Sequence, residues 1–451
     1  MKRSLAWAFL LVFGAAPGAL QGQNAFLNPF AASRRAGLQL HGVSLYSAYY
    51  SAGAPSSINV PLAGPLSSDI YTGVSISAGW DKSGERSNAS ILYSPSYFRT
   101  VRNPDLSSLN HDLSLNWSTK LGAKWAFGAS AAGIISNLQQ LMFNPTRLGS
   151  ASMVPATFDE LAAAVLAGSY SNFQLASVLT GASALSSPDR SFLYGNRMLS
   201  TSAQITLSYA PSQRSSVNFG VYATRAQRLR RADEKAEASV DHVVPQTTAG
   251  GATFGWSYSL TPRTQVGAEV SAMRVFSLYQ QSYVTRGTVS IGRTMSRRWF
   301  VQTRFGAGHI AYIRQTIAAP SGADYIAGGS IGYKTSAHTF MASFDRTVGD
   351  AYGIGAGSTR STTGAWTWRR PGKPWSLTSG ASHQILKGSV LSTGESWSAS
   401  MGVSRQLGAH VVIGAQYGYF QFPAHALLLA LGNRSQHGAV VSLTWSPTPS
   451  R

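Results

Sequence analysis

The sequence predicts an all-β protein, a transmembrane antiparallel up-and-down β-barrel of about 18 strands, with about 16 as the alternative count. Apolar residues alternate with small or polar ones at a period of two along almost the whole chain. Short basic turns recur between the alternating segments, and Trp, Tyr and Phe bracket them, as expected at a membrane interface. A soluble β-sandwich would alternate similarly but would not surround its turns with aromatic residues so regularly.

One tight turn shows the pattern in miniature. Leu113, Leu115 and Trp117 fall on one face of the strand before it, and Trp125 and Phe127 continue that face on the strand after it. The opposite faces carry Asp, Ser, Asn, Ala and Gly. An apolar face towards lipid and a small, polar face towards water is the alternation of a membrane barrel strand.

The strand count follows from eight short turns rich in basic residues, Pro, Ser and Gly. Each separates two alternating segments, so eight turns plus a first and a last strand that end on the same side give nine pairs, or about 18 strands. The turns are predicted at Asp81 to Arg86, Thr119 to Lys124, Pro211 to Ser215, Thr261 to Thr264, Ser296 to Arg298, Lys334 to His338, Arg369 to Pro374, and Arg405 to Ala409.

The connections on the other side are predicted to be longer, and the longest runs from Ser136 to Asn196. In it, a capping box over Thr157 to Glu160 predicts a short helix that Gly168 ends, and a second short helix is predicted over Asn172 to Leu179, followed by Gly181. Long outer loops with their own helices are usually functional, so this loop either folds into the barrel as a constriction or caps it from outside. The candidate gating residues are Phe158, Asp159, Glu160, Leu161, Val165 and Leu166.

The sequence divides into four parts. Residues 1–22, with Lys2 and Arg3 before an apolar core and small residues after it, read as a cleaved signal peptide. Residues 23–36 are expected to form a periplasmic segment, residues 37–447 the barrel, and residues 448–451 a short tail.

Composition excludes several classes of protein. After the N-terminus there is no run of about twenty apolar residues, which excludes a helical membrane protein. The chain has no cysteine, so a disulfide scaffold, a thiol nucleophile and cysteine-bound zinc are excluded as well. Stability must then come from a closed strand ladder, which leaves no unpaired edge in lipid.

The C-terminal strand, from Gln436 to Trp445, carries a polar-x-Gly-x-x-apolar-x-apolar pattern. In this it resembles the bacterial outer-membrane β-barrel class, although such chains usually stop at an aromatic residue and this one continues to Arg451. The resemblance implies export to the outer membrane of a Gram-negative cell and contact with outer-membrane lipid and lipopolysaccharide. It also implies recognition by the barrel-assembly machinery through Gly438, Val441, Leu443 and Trp445.

The chain is strongly basic, with a formal net charge of +20, or 20 − 2 = +18 without Lys2 and Arg3. In a soluble domain this would suggest nucleic acid. Here the basic residues lie mostly in turns and loops and form no stripe with base-stacking aromatics, so no nucleic-acid partner is expected. Residues such as Arg297 and Arg298 sit where lipid phosphates would be.

Charged residues on the inward face are the candidate pore-lining residues. Strand parity places five of them inside, namely Asp112, Glu269, Arg286, Arg304 and Asp345. Two basic and three acidic groups leave the wall close to neutral, and the small residues around them predict a wide bore. Glu269 and Arg304 are expected to lie close together, as a structural salt bridge or as a selectivity element.

No enzyme, metal site or cofactor is expected. Residues 328–332 match the Gly-x-Ser-x-Gly pattern of hydrolases, but they lie inside an alternating strand rather than at a strand–turn–helix elbow. The nine histidines lack metal-ligand spacing. The expected function is a porin-like channel that passes small solutes or polysaccharide across the outer membrane. The alternative is a structural or surface-interaction barrel with a closed lumen.

Overall fold

The computed structural model describes the strands and most of the turns of the chain. The described residues are 37–51, 68–84, 86–102, 107–137, 197–212, 214–229, 246–277, 280–315, 322–351, 355–369, 372–388, 393–422 and 434–447.

These residues form one antiparallel sheet with 19 ladder segments. The segments are β1 (Gly37–Tyr50), β2 (Asp69–Ser83), β3 (Ser87–Tyr93), β4 (Ser96–Thr100), β5 (Ser108–Lys120), β6 (Trp125–Asn137), β7 (Arg197–Tyr209), β8 (Ser215–Leu229), β9 (Thr247–Thr261), β10 (Thr264–Ser277), β11 (Gln280–Thr294), β12 (Trp299–Gln315), β13 (Gly322–Lys334), β14 (His338–Ala351), β15 (Gly355–Arg369), β16 (Trp375–Gly388), β17 (Thr393–Gln406), β18 (Val411–Phe422) and β19 (Arg434–Trp445).

β3 and β4 are two parts of one strand, interrupted at Pro95. The register against β2 is the same on both sides of the proline, since Ala78 faces Tyr93 and Val74 faces Tyr97. Proline has no N–H to donate, so the ladder loses a bond there without a shift. The barrel therefore has 18 strands, which confirms the predicted count.

The sheet closes on itself because the first strand pairs with the last. β1 and β19 are antiparallel from Val43 opposite Trp445 to Tyr50 opposite Gly438. The hydroxyls of Ser44 and Thr444 lie 2.9 Å apart across this ladder. Closure leaves no free sheet edge, which is what a strand structure in lipid requires.

The outer face is apolar and the inner face is mostly small and polar. On β11, Val289 and Ile291 are 61% and 48% exposed on the outside, whereas Ser282 and Gly292 on the alternate parity are buried. On β5, Leu113 and Trp117 face outwards in the same way. This is the face pattern of a membrane-spanning barrel.

The two ends of the barrel differ. Eight connections of two to five residues join strands at one end, close to the predicted positions, and β1 begins and β19 ends there too; we call it the turn end. At the opposite end, the loop end, the longest connection is 138–196, as expected. However, connections 278–279, 352–354 and 389–392 are as short as the turns, so the expectation of longer joins at this end is wrong at these three places.

Aromatic rings line the outer face near the turn end. Trp125 and Tyr209 have ring centroids 4.5 Å apart, and Trp299 and Tyr333 are equally close. The Arg405 guanidinium lies 5.0 Å from the centre of the Trp375 ring. Such pairs suit a lipid headgroup region.

The predicted gating loop and its short helices lie outside the described residues, as do residues 1–36 and the tail 448–451. Within the described ranges, no helix has the length and hydropathy that crossing a membrane would need.

Candidate solute path through the barrel

Polar and charged side chains from five strands meet on the inner face, about halfway between the two ends. We call this group the mid-height cluster; it consists of Tyr222, Glu269, Arg286, Arg304 and Asp345. The strands β8, β10, β11, β12 and β14 carry them, so the cluster covers one side of the lumen wall. Four of its members are residues that strand parity placed inside, and Tyr222 was missed.

An ion pair between Arg304 and Asp345 anchors one end of the cluster. The Arg304 guanidinium donates to the Asp345 carboxylate, which is 4% exposed, from a side chain that is 25% exposed. The two residues face Gly328 from opposite sides, Arg304 on β12 and Asp345 on β14. Because glycine has no side chain, the two charged groups meet directly above β13.

The expected pair between Glu269 and Arg304 does not form, and the registers explain why. Glu269 is opposite Thr288, which is opposite Gly306, so Glu269 lies one step of the inward face away from Arg304. The residue between the two strands is also a threonine rather than a glycine. Arg304 has the shorter path on its other side, over Gly328 to Asp345.

Arg286 is a partly buried charge of the cluster that has no direct ion pair among the described residues. It interacts electrostatically with Tyr222, Glu269, Asp345 and Arg304, but among the described residues it makes no direct ion pair, and its buried Nε has no hydrogen-bond partner there. A Cβ added to Gly349 would lie 2.7 Å from Arg286 Nη2, so the guanidinium rests against the backbone of β14. Within the described residues, Arg286 thus lies near two carboxylates without pairing directly with either of them.

Asp112 lies apart from the cluster. It is on β5, separated from β8 by β6 and β7 along the sheet. Its backbone carbonyl accepts a hydrogen bond from Ser94 N–H at 2.8 Å, at the point where Pro95 interrupts the ladder. Of the five predicted pore-lining residues, four therefore belong to the mid-height cluster, and Asp112 lies elsewhere on the wall.

The inner face carries large aromatic side chains as well as small residues. Tyr46, Tyr71 and Phe98 alternate with outward residues on β1, β2 and β4, and their exposed fractions are 8%, 5% and 2%. Their rings pack edge to face, with centroids 6.1 Å apart for Tyr46 and Tyr71 and 5.7 Å for Tyr71 and Phe98. The width of the bore on this side of the barrel stays a prediction.

Several inner-face rings lie flat on a glycine of the next strand. Tyr46 is opposite Gly73, and a Cβ on that glycine would be 2.5 Å from the ring carbon Cζ. Tyr222 covers Gly251 at 2.8 Å in the same way. Glycine thus makes room for a ring to lie along the wall, a packing known as aromatic rescue of glycine.

The hydrolase-like pattern at residues 328–332 has no catalytic geometry. Ser330 lies in the middle of β13, opposite Gln302 on one side and Ser343 on the other, with no turn near it. In the part of the chain that the structure describes, no three His, Asp or Glu side chains come together as a metal site would require.

Comparisons with known proteins find similar barrels among solved structures. The Pseudomonas aeruginosa protein OccK5 (OpdH) is 9% identical, with 91% of this chain and 98% of that chain covered at a TM-score of 0.43. OccK2 (OpdF) of the same organism, solved in complex with glucuronate, is 9% identical, with 92% and 100% covered at 0.44. The FrpB iron transporter of Neisseria meningitidis is 10% identical, with 90% and 66% covered at 0.44.

No protein-family model matches the chain. No curated protein matches it either. At identities of 9–10% the structural likeness concerns the fold alone. What those proteins bind or transport is therefore not assigned to this chain.

Proposed function

We propose that this chain is an outer-membrane channel through which small polar solutes pass. The observation that carries the proposal is the mid-height cluster, which places two cations and two carboxylates on one inner wall of a closed barrel with an apolar outside. Charges at this depth are costly unless they serve a water-filled path or a fixed structure. The packed aromatic side chains opposite them narrow the lumen, which suits small solutes better than polysaccharide.

The turn end is assigned to the periplasm and the loop end to the cell surface, because outer-membrane barrels have short periplasmic turns and long outer loops. A closed barrel should also keep its ladder in detergent until it is heated, so the unboiled protein should migrate differently from the boiled protein on a gel. An epitope tag in the turn at 372–374 should be inaccessible on whole cells. An unchanged band or a surface-exposed tag would contradict the assignment.

A structural or surface-interaction barrel with a closed lumen is the second candidate. The packing of Tyr46, Tyr71 and Phe98 on the inner face favours it, because these side chains are almost fully buried where an open pore would wet them. The two candidates differ in one measurable quantity, the ionic current through a single purified barrel.

The deciding experiment is single-channel conductance in planar bilayers, with the full chain and with residues 157–181 deleted. If the loop that contains those residues constricts the pore, the deletion raises conductance and admits larger solutes while the barrel stays folded. A barrel that carries no current in either form would exclude the channel and support the closed-lumen candidate.

Ion preference tests the cluster itself. Replacing Arg286 and Arg304 by Gln leaves Glu269, Asp112 and Asp345 unopposed, so selectivity should shift towards cations. Arg99, which is exposed on the outer face of β4, provides the matched control, since losing its charge leaves the lumen unchanged. An equal shift from the Arg99 control would contradict a role for the cluster.

The remaining partners are proposed on the resemblance and on position. Val441, Leu443 and Trp445 alternate along the outer face of β19, and Gly438 lies on the buried inner face. This arrangement leaves the apolar side chains of the assembly pattern accessible from the lipid side. Replacing Leu443 and Trp445 by Ser should reduce the amount of folded barrel in the membrane, whereas the same change at the outward Val221 should reduce it less.

A further inference from the structure

The loop-end part of β14 leaves its neighbour. β13 and β14 pair from Lys334 opposite Thr339 to Ala327 opposite Arg346, and the ladder ends there although both strands continue towards the loop end. β14 and β15, in contrast, stay paired as far as Ala351 opposite Gly355. Residues 347–351 and 355–359 therefore separate from β13 as one unit, which we call the tucked hairpin. Its β15 arm stays paired with β16 as far as Gly357 opposite Gly388.

The tucked hairpin lies inside the barrel. Val348, 1% exposed, packs with Val284, Ile310 and Ile326, which are inner-face side chains of β11, β12 and β13. β14 approaches β11 and β12 although these strands lie three and two places away in the sheet. Gly308 makes room for the contact, because a Cβ there would be 2.9 Å from Val348 Cβ.

Strand parity would place Val348 on the other side of the wall. Val348 alternates along β14 with Asp345 and Ser343, which face inwards. It has the same parity as Phe344 and Phe340, which lie on the outer face. A straight β14 would therefore direct Val348 towards lipid. The hairpin has turned so that its outer face rests on the inner face of β11 to β13.

One side chain closes the gap where the ladder ends. The Arg346 guanidinium bonds to the Asp324 carboxylate, donates to the Tyr325 hydroxyl at 3.0 Å and lies 3.8 Å from the centre of the Tyr325 ring. These contacts hold the base of the tucked hairpin against β13. Beyond them, residues 322–326 of β13 present an edge that β14 does not pair.

We propose that the tucked hairpin is an inner gate with a second position, in which it pairs with that edge and leaves the lumen. The loop-end part of β16, which stays paired with the hairpin, moves with it. The existing register continues without a shift, so Val348 would lie opposite Tyr325 on the outer face, as its parity favours. The two positions exchange a buried apolar contact for backbone hydrogen bonds on an open strand edge, which strongly favours pairing. As a device that regulates the solute path, the gate rests on the proposed channel function.

The test uses engineered cysteine pairs, for which a chain without cysteine is a clean background. Gly308→Cys with Val348→Cys traps the tucked position, since the Cβ separation of 2.9 Å needs to widen by roughly half an ångström to reach the disulfide range. Tyr325→Cys with Val348→Cys traps the paired position. Gly329→Cys with Phe344→Cys is the matched control, because these residues are already opposite each other four positions further along the same ladder.

Disulfide formation is measured by mass spectrometry of the oxidised, folded barrel, and conductance is measured with and without reducing agent. Both test pairs and the control should form, and the paired position should conduct about twofold more than the tucked one, because conductance follows the open cross-section of the constriction. Reduction should remove the difference. The control disulfide should not change the current.

Two results would overturn the gate while leaving the channel intact. One is a control disulfide that forms while Tyr325→Cys with Val348→Cys stays reduced, since the paired position would then not be reached. The other is equal, non-zero conductance in both trapped positions. Absence of current in every reduced variant and in the cysteine-free parent would instead refute the proposed channel function.

Discussion

The assignment of inner and outer faces can be tested with two neighbouring residues of β11. Val289 is 61% exposed on the outer face close to the middle of the strand, and Thr288 faces inwards opposite Glu269. Arginine on the lipid face near mid-membrane costs about 2–4 kcal/mol, and less at the interfaces. Val289→Arg should therefore raise the unfolding equilibrium constant, in favour of the unfolded state, by about 30- to 700-fold, at about 1.4 kcal/mol per factor of ten.

Thr288→Arg is the matched control at the same depth. Its side chain enters the lumen beside the Glu269 carboxylate, where a new cation is solvated or paired, so the free energy of unfolding should change by about 0.5 kcal/mol. Denaturant midpoints in phospholipid bilayers measure both variants. Equal destabilisation at the two positions would refute the reasoning, because it would mean that both faces of the sheet are buried in protein.

The choice of position matters for this experiment. Phe305 and its inward neighbour Gly306 on β12 are the obvious alternative pair, since Phe305 is 59% exposed on the outer face. A Cβ on Gly306, however, would overlap the carbonyl oxygen of Gly287. Gly306→Arg would therefore be damaging for a reason unrelated to lipid, and it is not the mild control that parity by itself predicts.

Two further predictions concern the inner wall. Arg304→Gln and Asp345→Asn should each destabilise the barrel by up to about 3 kcal/mol, because each leaves a partly buried charge without its partner. The double variant should lose less stability than the sum of the two single variants. Additive losses of stability in denaturant titrations would contradict the ion pair. Gly332→Ala should cost about 1–3 kcal/mol, because its new methyl overlaps the Phe300 ring that lies on this glycine, whereas Gly364→Ala, with nothing within 4 Å of the new Cβ, should be neutral; equal melting temperatures of the two variants would contradict the close packing.

Much of the fold could be predicted from the sequence because its signals are local. Turn residues and strand alternation are properties of a few consecutive positions, and the eight turns follow from them within about three residues. Once a short turn is placed, the register of its hairpin is nearly fixed. The strand count then follows, since it depends on the number of turns and not on their lengths.

The ion-pair partner of Arg304 could not be predicted from the sequence in the same way. It depends on two registers and on the residue between them, and a threonine or glycine at that place decides whether two long side chains meet. Strand parity predicts which face of the sheet a residue is on. It does not predict how far along the barrel axis that residue lies relative to a residue two strands away. The glycines under Tyr46 and Tyr222 were overlooked for the same reason.

The tucked hairpin runs against the local pattern. Val348 continues the outward parity of Phe344, and nothing within β14 marks the place where the strand turns inwards. The departure is set by contacts with Val284 and Ile310, which lie far away in the sequence. Alternation predicts where a side chain points in a straight strand, and tertiary packing decides whether the strand stays straight.

The ladder between β1 and β19 has a consequence for how the protein is made. Ser44 and Thr444, whose hydroxyls meet there, are 400 residues apart, whereas the other neighbouring strands follow one another along the chain. Entropy alone penalises a ring of this size by only about 3 kcal/mol relative to a ten-residue hairpin. The heavier constraint is order of synthesis: until β19 has been made, the growing sheet has two bare edges and is unfit for lipid. The sheet can therefore close only once β19 has been made. A chain truncated before β19 lacks the strand that pairs with β1 and has no smaller closed barrel as an alternative.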